Sequence, residues 1–108
     1  MKARLFIAIT ASICMSAGAF AADEGEALFN NSGCTSCHSL GNKVVGPSLK
    51  DIAAKYAGDK NAQAMLEKKV RNGGSGSFPD MPMPMPATPA SVSDASIKSI
   101  VAWILGLK

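Results

Sequence analysis

The chain has 108 residues, 47% of them hydrophobic and 18% charged, which is the size of one domain and the composition of a folded protein. Those numbers argue against disorder and against a membrane protein with many spans. The net charge is +3, but Lys2 and Arg4 supply two of those charges from a segment unlike the rest. What remains is nearly neutral, so no nucleic-acid role follows.

That segment has three parts. Lys2 and Arg4 make a positive start, Leu5 to Gly18 carries no charge, and Ala19-Phe20-Ala21 forms a small-x-small site ahead of Asp23-Glu24. The order is that of a secretory signal peptide, and the apolar run is shorter than the ~20 residues of a membrane span. The expected division is a leader over residues 1–21, removed on export, and a single domain over residues 22–108. Cys14 leaves with the leader. Ile13 precedes it where a lipoprotein site needs a small residue.

Asp23 to Asn31 reads as a short helix, capped by Asp23, anchored by Leu28 and Phe29 and stopped by Gly33. Ser48 to Ala57 is the second helix. Gly46-Pro47 bars helix before it, Ser48 caps it, and Leu49, Ile52, Ala53 and Tyr56 fall at helical spacing. Lys60 to Asn72 is the third, with Ala62, Met65, Leu66, Lys69 and Val70 on one face and Gly73-Gly74 as terminator. The fourth is capped by Ser93, with Val92 and Ile97 at staple positions and a stripe of Ile97, Ile100, Val101, Ile104 and Leu105. No stretch alternates as a half-buried strand does, so the class is all-α. Between the third and fourth helices, Phe78 to Pro89 holds five of the six prolines and three methionines. Proline at every second position from Pro82 to Pro86 predicts a stiff extended loop without helix or ladder pairing, presenting Met81, Met83 and Met85 to something packed against it.

Two cysteines remain in the domain, Cys34 and Cys37, and a disulfide between them would close a trivial loop of little value to stability. With His38 they form Cys34-Thr35-Ser36-Cys37-His38, the attachment signal of a c-type haem. Each thiol adds to one vinyl group of the porphyrin, and two intervening residues let both sulfurs reach. The following residue then projects over the iron. His38 is the only histidine, so it is the candidate nitrogen ligand. A thioredoxin-type redox pair shares the Cys-x-x-Cys spacing but belongs at a strand-to-helix junction, and a structural zinc site needs four Cys or His ligands where three exist. The methionine loop offers a sixth ligand of the soft thioether kind, which raises the reduction potential.

These residues resemble the small bacterial class I cytochromes c, of the cytochrome c-551/c-552 type with a single haem. The resemblance spans the whole domain. It runs from Leu28-Phe29 and the Cys34–His38 motif through Val45-Gly46-Pro47, Leu49 to Ala53, Asn72 to Gly76 and the Pro-Met-Pro loop to the final helix ending in Trp103-Ile104-Leu105. It implies an all-α fold of about four short helices around one covalently attached haem c, with the first and last helices crossing. It also implies that the Pro47 carbonyl accepts a hydrogen bond from the proximal His38. Two departures stand out. Phe78-Pro79 replaces the aromatic-Gly pair, often containing Trp, that reaches a haem propionate. The repeat Pro82-Met83-Pro84-Met85-Pro86 replaces a single Pro-Met-Pro. Counting forward from Gly73 gives Met83 as the axial ligand and counting back from Val92 gives Met85; Met83 is preferred, Met85 is the alternative and Met81 comes third.

The function implied is that of a periplasmic carrier, not an enzyme, passing one electron through a haem edge near Cys34 and Cys37. Thr35, Val44 and Val45 would form an apolar docking patch there, and Lys43, Lys50 and Lys55 would steer an acidic partner. The expected partners are redox proteins, for example a membrane cytochrome complex as donor and a terminal oxidase or periplasmic reductase as acceptor. Stable membrane insertion is not expected, and the carrier is expected to be a monomer. Two other readings stay open: a gas-binding or sensing haem protein if no methionine reaches the iron, and added Cu(I) binding by the Met-x-Met-x-Met array.

Overall fold

The structure, a computed structural model, describes residues 17–108. The charged start and most of the apolar run of the expected leader lie outside the described residues. Four α-helices follow one another: α1 (Ala17–Asn31), α2 (Leu49–Lys55), α3 (Ala62–Asn72) and α4 (Asp94–Leu105). A single 3-10 turn over Cys34–Ser36 sits between α1 and α2. Among the described residues there is no strand.

The caps explain where α2 and α4 begin. The Ser48 hydroxyl accepts the N–H of Asp51 at 3.1 Å, and that of Ser93 accepts the N–H of Ser96 at 3.1 Å. Both cap residues have extended backbone, as an N-cap requires. The start of α1 differs from expectation. Helix is already established at Ala17, so Asp23 lies inside it and not at its N-cap position. Alanine has the highest helix propensity, and Ala17, Ala19, Ala21 and Ala22 carry the helix back past the acidic pair. At the other end, α2 stops at Lys55, two residues short of the predicted Ala57.

α1 and α4 share the most extensive helix–helix contact in the molecule, and α3 and α2 pack on α4 as well. Gly25 makes the crossing possible. It is buried in α1, and a Cβ there would run into the carbonyl oxygen of Ser99 and the Cβ of Trp103 on α4. One turn on, the Phe29 and Trp103 rings meet with centroids 5.4 Å apart and planes tilted by 50°, a favourable edge-inclined arrangement. Phe29, Leu49, Ile100 and Ile104 form one buried cluster, and Ile97 and Val101 are almost fully enclosed beside it. On α3, by contrast, only Ala62 is buried and Met65 of the predicted apolar face is exposed. The helices pack on one side only, leaving a large concavity on the other.

Candidate functional site

Local backbone geometry brings the motif residues to that concavity. Gly33 takes a left-handed conformation with φ 81°, turning the chain out of α1. The 3-10 turn then closes on itself, with the N–H groups of Cys37 and His38 both donating to the Cys34 carbonyl at 3.2 and 3.0 Å. Cys34, Cys37 and His38 are thereby gathered on one wall of a cavity of about 560 Å³. That volume lies within the range of sites for sizeable organic ligands. Both thiols are free and half-buried. Burial pushes the Cys34 thiol above the value of an ordinary thiol, with the nearby Cys37 sulfur adding to the shift.

The His38 ring is fixed from behind. Its Nδ1 lies 2.8 Å from the Pro47 carbonyl oxygen. A carbonyl can only accept, so Nδ1 carries the proton and donates, which leaves the Nε2 lone pair free. Gly46 lets this happen. A Cβ at Gly46 would stand 2.6 Å from Cε1 and 2.9 Å from Nδ1 of His38, and the Gly46 N–H donates to the Cys37 carbonyl at 2.7 Å. The segment beyond is tied down by the Leu49 N–H on Ser39 O and the Lys50 N–H on Leu40 O.

The proline-rich loop borders the same cavity, and Met81, Met83 and Met85 all line it. Their settings differ. Met83 is 58% exposed, whereas Met81 and Met85 are half-buried. The expectation that this stretch makes no ladder-type pairing is corrected at one residue. Met85 and Gly74 exchange two backbone hydrogen bonds of 2.9 Å each, in antiparallel fashion. Proline at every second position removes donors only from alternate residues, and Met85 keeps its N–H. Gly73 receives the returning chain, with φ 69°; a Cβ there would collide with the Met85 carbonyl oxygen and stand 2.8 Å from Ala87 N.

The walls are otherwise apolar, built from Phe29, Leu49, Ile52, Tyr56, Leu66 and Ile100 with their neighbours. Lys69 is the only permanently charged side chain among the lining residues, and its Nζ also donates to the Ser75 carbonyl at 3.1 Å. Sequence reasoning placed Lys69 on an apolar face and missed this role. It also passed over Gly25 and Arg71, because neither a close helix approach nor a long-range guanidinium contact leaves a periodic signal. Among the described residues no three His, Cys, Asp or Glu side chains are grouped to hold a bare metal ion. Two thiols, one oriented imidazole and apolar walls suit instead a flat apolar group that is attached covalently and carries its own metal. Haem c has that chemistry.

Comparison with known proteins points the same way. The family model for cytochrome c matches residues 22–108. Cytochrome c-551 of Pseudomonas aeruginosa is 37% identical over 108 residues, covering all of both chains. Cytochrome c-552 of Nitrosomonas europaea is 44% identical, also over the whole of both. The crystal structure of wild-type Nitrosomonas europaea cytochrome c552 superposes with a TM-score of 0.69, covering 77% of this chain and 99% of that one. The class 1 cytochrome MtoD of Sideroxydans lithotrophicus gives a TM-score of 0.65 at 33% identity, over 79% of this chain and 94% of that one.

Proposed function

Because the chain belongs to the cytochrome c family, whose members bind one covalently attached haem c, we propose that it is a periplasmic electron carrier with histidine and methionine on the iron. Haem c, when bound, supplies a single-electron couple between Fe(II) and Fe(III). Cys34 and Cys37 anchor it, and His38 presents Nε2 while Pro47 holds the other ring nitrogen. The observation that carries the reading is this oriented imidazole, sharing with a loop of methionines the lining of one apolar cavity of about 560 Å³.

Met85 is the proposed sixth ligand, in place of the Met83 favoured by counting along the sequence. Three facts support it. Met83 is 58% exposed, Met85 is half-buried, and the Met85 backbone is locked by its two bonds to Gly74. Met81 lies in the part of the loop held by its own N–H on Phe78 O and by two exposed lysines, Lys43 on the Asp80 carbonyl and Lys55 over the Phe78 ring. A sulfur whose backbone is already fixed loses less freedom on binding. The two extra residues of the repeat then fall on the N-terminal side of the ligand.

Lys69 would face the carboxylates that haem c carries, a role for which this chain has no Trp at Phe78-Pro79. In this reading no residue performs acid–base or nucleophilic work, so the protein is a carrier and not an enzyme. Leu40, Val44 and Met83 are exposed large apolar side chains, Met83 on the cavity lining, and Lys43, Lys50 and Lys55 are exposed as well. Such a surface suits brief docking with redox proteins of acidic rim, acting mainly on association rate. No described helix is long and apolar enough to cross a membrane, and the leader over residues 1–21 accounts for export.

Proton NMR of the reduced holoprotein tests ligation directly. A bound methionine shows its methyl group strongly shifted upfield by the porphyrin ring, and the expected assignment is Met85. Assignment to Met83 or Met81 would replace the ligand, and absence of any such methyl would remove histidine–methionine ligation altogether.

A further inference from the structure

One side chain makes most of the polar contacts to the chain that follows the methionines. Arg71, in the last turn of α3, sends Nη2 to the Val92 carbonyl at 2.6 Å and to Asp94 Oδ1 at 2.7 Å. Its Nε reaches the same carboxylate oxygen at 3.2 Å, and Nη1 reaches the carbonyls of Pro89 and Thr88 at 3.1 and 3.4 Å. The guanidinium thus joins α3 to three loop carbonyls and to the first turn of α4. Thr88 adds a second tie, its N–H and hydroxyl both donating to the Val70 carbonyl at 3.2 and 2.7 Å.

The two halves of the loop are therefore held unequally. From Met85 onward the chain is pinned by the Gly74 bridge, by Thr88 and by Arg71. Before Met85, Pro79, Pro82 and Pro84 have no N–H to offer, and the polar contacts to the rest of the molecule come from two exposed lysines, Lys43 Nζ on the Asp80 carbonyl at 3.3 Å and Lys55 Nζ 5.3 Å from the centre of the Phe78 ring. An isolated ion pair with an exposed carboxylate is worth little. Arg71 is different because four acceptors from separate points in the chain share one rigid fork, with its side chain only 28% exposed.

We infer that Arg71 is a positioning residue, holding the Met85 sulfur against the iron by fixing the chain just beyond it. The inference rests on histidine–methionine ligation as proposed above. A thioether is a weak ligand whose occupancy depends on its effective concentration at the metal, and that concentration is set by how tightly the tether is held. Loosening residues 88–92 lets the sulfur leave more readily while α1, α2 and α4 keep their own core. Lysine cannot replace the fork, because its ammonium is a point donor that cannot span four acceptors.

The test is displacement of the sulfur by imidazole in the oxidised holoprotein. The far-red sulfur-to-iron absorption reports the ligand, and far-ultraviolet circular dichroism on the same samples reports the helices. Arg71→Gln and Arg71→Lys are each expected to lower the half-displacing imidazole concentration about tenfold, the size expected from losing one charge-assisted hydrogen bond, with helix content unchanged. Lys43→Gln, in the unpinned half, is expected to match wild type. Displacement at the wild-type concentration in both Arg71 variants overturns the inference. So does loss of the far-red band only together with helix content, which makes Arg71 a purely structural residue. A wild-type protein with no far-red band removes the ligation reading itself, before any variant is compared.

Discussion

His38 shows how much depends on a neighbour with no side chain. The Gly46→Ala change puts a methyl group 2.6 Å from the imidazole, so either the ring tilts or the Pro47 segment retreats. Such overpacking costs about 1–3 kcal/mol, read as a lower melting temperature of the holoprotein with a weakened Nδ1–H hydrogen bond by NMR. Cys34 supplies a pH dependence. Its folded-state pKa is raised by burial, so in the haem-free chain the unfolded form gives up this proton first. The contribution is intact at neutral pH and is lost as pH rises through the ordinary thiol range toward the raised value. Urea titrations of the apoprotein at neutral and alkaline pH check that direction. Lys69 carries a third expectation. Removing its positive charge favours the oxidised form, so Lys69→Gln lowers the reduction potential by roughly 20–40 mV, the equivalent of a partly exposed charge contact. Voltammetry reads it.

At the scale of elements, α4 was legible because its apolar stripe is continuous and its Ser93 cap stands next to it. The Cys34–His38 turn was legible because its spacing is dictated by covalent chemistry. The start of α1 in the uncleaved chain was not, because helix propensity in an alanine-rich run overrode an acidic cap signal. The α1–α4 crossing was implied only by resemblance. Its physical cause, Gly25 against Ser99 and Trp103, leaves no pattern in a single chain, since a glycine in a helix reads as a mild penalty. The Met85 bridge was obscured by the prolines around it, and Arg71 looked like an ordinary basic residue at a helix C-terminus. The crossing yields a prediction of its own. Gly25→Leu forces the helices apart and Phe29→Ala opens a cavity in the central cluster, the latter costing about 3–5 kcal/mol. Chemical unfolding of the two holoproteins measures both losses.

For the whole molecule, the cavity is as important as the core. The buried side chains form a layer between α1 and α4, while Leu49, Ile100, Val101 and Ile104 also look into the concavity. A small domain with one face of its core open to a ligand gains much of its stability from filling that face. The measurement that bears most directly on the account is the absorption spectrum of the purified exported protein, oxidised, then reduced, then exposed to carbon monoxide. Histidine and methionine on the iron predict a sharp low-spin reduced spectrum, a weak far-red sulfur band when oxidised and no response to carbon monoxide. A high-spin spectrum that shifts with carbon monoxide would contradict it, and would make the cavity a site for binding small gases instead of a relay for electrons.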